Sequence, residues 1–355
     1  MSRKRIIRLA AQAVVLLIVI FGIVHSGRKA ALQLTLQRTE LAAKATLAEA
    51  AALGASDPTE REQLRIEADR LRNAVDRFWQ ASPLLLVASG LCYAMGMLPA
   101  HWYWRQCLLT MDQRAPQLAT SWAYFYGNLG KYFPGKAMVI VLRLRALKDY
   151  DFKKMATAIT IFMETLTMMA VGGAVAGVCL ILLNLDGRLT LLAVGLLLSM
   201  LLPTLPPILR IIIAKLQRGV SADTLREWTS RIHVGLVLKG WVAMTVAWLL
   251  FGLSLLCILL GLPIAESMET DWSRLLLSSL GACALAVVLG FVSLLPGGAG
   301  VREVVLSTIL APVVGPTAAL CAAIWLRITW LVTELAVVAI IAAMRFLQRR
   351  EHPVR

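Results

Sequence analysis

An all-α, polytopic membrane bundle with two broken, re-entrant helices is the fold this sequence predicts, on three observations. First, 59% of the 355 residues are hydrophobic and only 16% are charged. The mean hydropathy of +0.72 lies outside the range of ordinary soluble domains. Second, several apolar runs reach about 18 residues or more, the length of a membrane-crossing helix. Third, each half of the chain carries one Pro-Gly loop beside charge. These are Gly130-Lys131-Tyr132-Phe133-Pro134-Gly135-Lys136 and Leu295-Pro296-Gly297-Gly298-Ala299-Gly300-Val301-Arg302-Glu303. Pro and Gly break helices, and charge in hydrocarbon is costly and functional by default. Two such breaks, one per half, point to a transporter-like binding site near the bilayer midplane.

The elements follow in order. Arg3, Lys4, Arg5 and Arg8 precede an apolar run from Leu9 to Val24. This is a signal anchor or a signal peptide, and the absence of an A-x-A-like cleavage site favours an uncleaved helix with its N-terminus inside. Residues 1–27 are therefore assigned to an N-terminal membrane helix. Residues 28–82 form the one sizeable polar stretch, rich in Ala, Leu, Glu and Arg, and are read as an extramembrane helical hairpin. Asp57 fits an N-cap, Pro58 the first helical position and Glu60 the reciprocal capping position. Leu64, Ala68, Leu71, Val75 and Phe78 step by four and three, and Leu34, Leu41, Ala45, Ala48 and Ala52 do so more weakly, so the arms can zip along a seam. Arg65–Asp69 and Arg72–Asp76 are placed one turn apart on the exposed face. The hairpin reads either as a solvated structural element or as a surface for a protein partner or self-association.

Residues 83–345 hold the membrane domain. Pro83 to Pro99 makes a short second span, with His101-Trp102-Tyr103-Trp104-Arg105 at its inner interface. Pro116 to Gly135 is too polar to cross, and Arg143, Arg145, Lys148, Lys153 and Lys154 keep its far flank cytoplasmic. A re-entrant hairpin from the cytoplasm satisfies both facts. Met155 to Leu183 crosses outward, and Leu189 to Ala214 returns, with Pro203, Pro206 and Pro207 breaking it. Lys215 to Lys239 is a basic connector, and Gly240 to Leu262 crosses again to an acidic loop with Glu266, Glu269 and Asp271. Leu275 to Leu295 then enters the second break. Val304 to Val314, at about 16 Å, is too short to cross, and Ala318 to Met344 is a full span. Residues 346–355 are a basic tail. If Leu275–Val314 dips in from outside, the tail is inside and the two hairpins are inverted relative to each other. The location expected is the cell (inner) membrane, multi-pass, with the N-terminus and C-terminus cytoplasmic.

The net charge of +15 reads as loop charge that sets topology and attracts anionic lipid. No basic, aromatic-laced soluble module suggests nucleic acid. Cys92, Cys107, Cys179, Cys257, Cys283 and Cys321 are scattered without a CxxC pair, and the four histidines lack metal-ligand spacing. No cofactor or metal is expected. No G-x-x-x-x-G-K-[ST] string suggests ATP hydrolysis. No metal-binding or nucleophile–base pattern supports catalysis, so no catalytic residue is assigned.

Asn128, Pro134-Gly135, Arg143, Glu164, the run Pro296 to Glu303 and Arg327 resemble the transmembrane region of the lysylphosphatidylglycerol synthase family. The resemblance spans roughly Leu84 to Met344, and Met138 departs from it where a second glycine is common. The aminoacyl-transferase domain of the full synthase is absent from these residues, so lipid aminoacylation does not carry over. The resemblance implies a flippase-like protein that binds or moves a lipid with an anionic or bulky headgroup, either a phospholipid or a polyprenyl-linked lipid. The alternatives are an enzyme acting on a lipid-linked substrate and a membrane partner protein that transports nothing.

A phosphate headgroup needs cations and donors in a low-dielectric groove. Lys131, Lys136, Arg143 and Arg302 are the cationic candidates, with Asn128 as a ligand or as a partner for freed backbone groups. Anchoring at the cytoplasmic face is the competing reading of Lys131 and Lys136. Lys136 and Arg143 share a face if their stretch is helical. Glu164, Glu303, Arg327 and Glu334 are intramembrane charges that pair with one another, bind a lipid amine or carry protons. Arg327 and Glu334, seven apart, lie on one face of the last helix. Gly297, Gly298 and Gly300 permit positive φ and close backbone approach beside Pro296, as either an anion nest or a packing device.

Overall fold

The structure is a computed structural model. It describes residues 35–36, 39–40, 42–76, 80–133, 137–183, 191, 195, 199, 202–216, 227–262, 271–293, 295–298 and 300–351. All regular structure among them is helical. The N-terminal run, the acidic loop with Glu266 and Glu269, and Pro134, Gly135 and Lys136 lie outside the described residues, as does much of the first half of the expected return span Leu189–Ala214.

Two helices precede the membrane domain, α1 (42–54) and α2 (Pro58–Asp76). Asp57 caps α2 by accepting the Thr59 backbone N–H at 3.1 Å, with Pro58 at the first position where a missing N–H costs nothing. Ala45 and Ala52 of α1 and Ala68 of α2 are buried, all three from the expected seam. Arg72 ties the arms together by pairing with Glu49 across the hairpin at 2.7 Å.

Among the described residues, five helices are long and apolar enough to cross a membrane. They are α3 (Pro83–Thr110), α6 (Lys154–Leu182), α8 (Val234–Gly261), α9 (Trp272–Val292) and the Ala318–Gln348 portion of α11 (Pro316–Glu351). Between them lie α4 (Gln117–Asn128), a 3-10 turn Leu129–Tyr132, α5 (Ala137–Ala146), α7 (Pro206–Leu216) and α10 (Val301–Val314). The molecule is thus an all-α polytopic membrane protein.

α3 and α8 pack antiparallel. The Ser82 N–H donates to the Gly261 carbonyl at 2.9 Å at one end, and Arg231 pairs with Asp112 at the other. Small residues let the backbones approach. A Cβ on Gly240 would lie 2.5 Å from the Tyr103 ring. Polar side chains bridge the helices inside: Ser89 and Ser254 share a 2.8 Å hydrogen bond, and Trp330 Nε1 donates to Ser254 at 3.0 Å.

Two differences from the sequence reading have physical causes. α3 does not stop at Pro99 but runs through it to Thr110, because burial of its C-terminal half outweighs one lost hydrogen bond. Tyr103 and Trp104, expected at the interface, are fully buried, with Trp104 Nε1 donating to Thr160 at 3.2 Å. The basic connector ends earlier than expected, since α8 already starts at Val234.

Both breaks are the tips of helical hairpins. α4 and α5 pack against each other and are joined by Leu129–Tyr132. At 12 and 10 residues they rise only about 18 and 15 Å, too little to cross. α9 and α10 pack likewise, joined by a turn at Pro296–Gly298. α9, at 21 residues, rises about 31 Å and α10, at 14 residues, about 21 Å. The two tips touch each other, and α11 packs against α4, α10 and α3.

Candidate functional site

The second tip owes its shape to glycine. Gly297, Gly298 and Gly300 have φ of 58°, 66° and 83°, the left-handed region that a Cβ disfavours. Gly300 leads into α10, and the Glu303 carboxylate reaches back to accept its N–H at 2.8 Å. This bond, half of a capping box because glycine has no side chain to return it, orients Glu303. Its other oxygen accepts from Arg327 of α11.

The first tip is held by the same helix. Lys131, on the 3-10 turn, pairs with Glu334 of α11 and donates to Tyr93 Oη at 3.2 Å. Tyr93 also donates to Glu334, and its ring stacks on Trp330 with centroids 4.2 Å apart. Glu334 is 3% exposed, and its second oxygen has no partner. One face of α11 therefore reaches both breaks, with Glu334 on the first and Arg327 on the second. The tips meet at Tyr132 and Gly297, where a Cβ on the glycine would lie 3.5 Å from the tyrosine ring and 3.2 Å from Arg327.

Arg143 and Asn128 form a separate cluster at the base of the first hairpin. Arg143 donates to Glu164 of α6 at 2.9 Å and to Asn128 Oδ1 at 2.8 Å. Its guanidinium carbon lies 4.7 Å from the Trp104 ring centroid and 4.4 Å from that of Tyr124. It lies against both rings, which are themselves neighbours with centroids 5.8 Å apart, and it is 1% exposed. Its pair clamps α5 to α6.

Arg302 differs from the other three cations. Lys131, Arg143 and Arg327 each hold a carboxylate. No carboxylate among the described residues lies within ion-pair distance of Arg302, and its Nε is buried without a partner. Its side chain runs between Gly290 of α9 and Gly298, where added Cβ atoms would lie 2.9 and 2.8 Å from Nε. It lines a cavity of about 30 Å³ with Tyr132, Gly297, Glu303, Arg327 and Trp330.

A model of the lysylphosphatidylglycerol synthase TM region matches residues 70–337. The chain belongs to that family. Both tips, the three ion pairs and the cavity fall inside the match. Comparison with curated proteins finds no match.

In this lysylphosphatidylglycerol synthase TM protein, the residues singled out in the sequence divide into two groups. Lys131, Arg302, Glu303, Arg327, Glu334, Gly297 and Gly298 gather where the tips meet. Arg143, Asn128 and Glu164 form the second cluster. Arg327 and Glu334 do not pair with each other; each crosses to a different break. Lys136, Pro134 and Gly135 lie outside the described residues. Sequence reasoning passed over Tyr93, Tyr132 and Trp330, which hold or cover the ion pairs. Tyr132 sits beside Lys131 in the motif and was legible there, whereas Tyr93 and Trp330 are ordinary aromatics in apolar helices until packing brings them together.

Proposed function

We propose that this protein binds an anionic or bulky lipid headgroup between its two hairpin tips and moves the lipid across the membrane without ATP hydrolysis. The observation that carries this reading is the charge count at and around the tips. Among the described residues, Lys131, Arg143, Arg302 and Arg327 face Glu164, Glu303 and Glu334, four cations against three carboxylates. The surplus charge is Arg302. A guanidinium in a low-dielectric site is a natural partner for a phosphate. Lys131 and Arg327, already held by carboxylates, are the next donors a headgroup meets. The tails stay in lipid, so only the polar head needs this sheltered path.

In this reading the first hairpin enters from the cytoplasmic side. Its arms are too short to cross, and Lys148, Lys153 and Lys154 flank it. The second enters from outside, which puts both termini in the cytoplasm and the protein in the inner membrane. The protein is then a carrier and not a catalyst, with a phospholipid or polyprenyl-linked lipid as cargo and an ion or lipid gradient as the drive. The test is reconstitution in proteoliposomes with a fluorescent phospholipid and an impermeant quencher. Wild-type protein makes the inner-leaflet label accessible, and Arg302→Ala slows this by 10-fold or more. Rates equal to protein-free vesicles across several headgroups overturn the proposal.

The hairpin of α1 and α2 favours a second role beside transport. Leu47 and Leu53 are 69% and 80% exposed, more apolar surface than a solvated strut needs. It serves as a docking surface for a protein partner or a second copy. Deleting it changes regulation or assembly and leaves the basal movement of lipid intact. Loss of all movement in the deletion would shift the main function to docking.

A further inference from the structure

The cavity that Arg302 lines is small for its charge. Its volume of about 30 Å³ suits roughly two waters and excludes a phosphodiester with its substituents. The charged residues on its wall are Arg302, Arg327 and Glu303. Glu303 is engaged twice, by Arg327 and by the Gly300 N–H. The wall therefore carries one net positive charge. Arg302 is confined between Gly290 and Gly298, with an added Cβ on Gly290 falling 2.8 Å from its Cγ. It is held in place there and does not snorkel freely to an interface. Arg302 is half-buried as a residue, but its Nε is buried without a partner, and a cation held in a low-dielectric site without a counter-charge is unfavourable. Two of the first three residues of α10 also line the cavity, so the positive end of that helix dipole adds to the same field.

We infer that this closed conformation binds a monoatomic anion of the chloride class against Arg302. The inference rests on the functional reading only in one respect: the same cation later receives the lipid phosphate, so the halide and the lipid compete. Chloride has the required charge, fits where a headgroup does not, and needs no directional acceptor geometry. It holds the tips in register until a larger anion opens them. The cavity then stores charge balance for the resting state, and lipid binding is an exchange of one anion for another.

The test uses the purified full-length protein in detergent, exchanged into gluconate and titrated with sodium chloride at constant ionic strength. The thermal midpoint rises with chloride and saturates, as expected of a ligand that binds the folded state. Bromide reproduces the rise, and sulfate does not. Arg302→Gln abolishes the rise while keeping a midpoint in gluconate at or above wild type, because the uncompensated charge is gone. If that variant does not fold, Ala286→Val, which fills the cavity wall, abolishes the rise instead. A chloride response of equal size in either folded variant, or none in wild type, overturns the inference. Lipid movement measured in chloride and in gluconate separates the two claims. Slower movement in chloride supports competition. A chloride-dependent midpoint with no lipid movement in either salt removes the transport reading and leaves the anion site standing. Movement that depends on Arg302, with no chloride effect on the midpoint, removes the anion site alone.

Discussion

Lys131 of the first hairpin tip and Glu334 of the last long helix form an ion pair in which the glutamate side chain is 2% exposed and the lysine side chain 29%. They are 203 residues apart in the chain. The pair fastens one break to α11, and Arg327 fastens the other to the same helix through Glu303. Because α11 bears both partners, movement of either tip relative to α11 must break or exchange a buried pair. That makes this helix face the natural place for a conformational step.

Breaking the first of these pairs on one side only should be costly. Lys131→Met leaves Glu334 buried beside Tyr93 with no cation, and destabilises by about 3–5 kcal/mol. The double variant Lys131→Met, Glu334→Gln removes both charges and recovers most of the loss. Thermal unfolding of the two singles and the double, read as a double-mutant cycle, checks this. Additive losses would show that the pair contributes nothing as a pair.

Two of the left-handed glycines, Gly297 and Gly298, should differ in tolerance. Gly297→Ala incurs mainly the conformational penalty of positive φ, about 1–2 kcal/mol, since its nearest neighbours lie 3.2 Å or more from an added Cβ. Gly298→Ala adds clashes with Arg302 at 2.8 Å and with the Gly290 Cα at 2.9 Å. It should lose more stability than Gly297→Ala and should perturb any ligand at Arg302 as well. Melting temperatures of the two variants give the order.

A separate clash guards the second charge cluster. A Cβ at Gly127 would fall on the side chain of Arg143, which packs against Trp104 and Tyr124 and is paired with Glu164. Gly127→Ala should therefore destabilise by about 1–3 kcal/mol, the usual range for overpacking. Melting temperature reads this directly. A variant as stable as wild type would mean that the clamp of α5 on α6 has slack.

Outside the spans, pH should act through Asp112. Its carboxyl is held below the usual range by the Arg231 hydrogen bond and charge, and Arg231 also binds Glu227 at 2.8 Å. A carboxyl whose pKa is lower folded than unfolded adds stability above its unfolded value, near 3.9, and loses it as pH falls through the folded value. Asp112→Asn should therefore be less stable than wild type at neutral pH, with the gap closing below about pH 4. The exposure of this pair keeps the gap small and makes it shrink in high salt. A gap that is constant from pH 7 to pH 3 would contradict the assignment.

Much of the architecture was legible before any coordinates. The long spans announce themselves because hydrocarbon demands about 20 apolar residues in a row, and no competing structure uses such a run. The breaks were legible because Pro-Gly and charge are rare in these surroundings. The cap at Asp57 and the alanine seam of α1 and α2 follow from local rules that work over one or two turns. The extension of α3 through Pro99 was not legible, since the residue that breaks a helix in water is tolerated where neighbouring helices cover it.

By itself the sequence determined the class of the molecule, the position of both breaks and the identity of the charges beside them, because those depend on composition and on neighbours along the chain. Only the tertiary structure decided who pairs with whom. Arg327 and Glu334 share a helix face and look like partners, yet each reaches a different hairpin tip, and Arg143 and Glu164 neutralise each other elsewhere. Arg302 emerges as the cation without a carboxylate only when every other pair has been placed in space. Electrostatic balance is a sum over distances, and distances between segments far apart in the chain are set by packing.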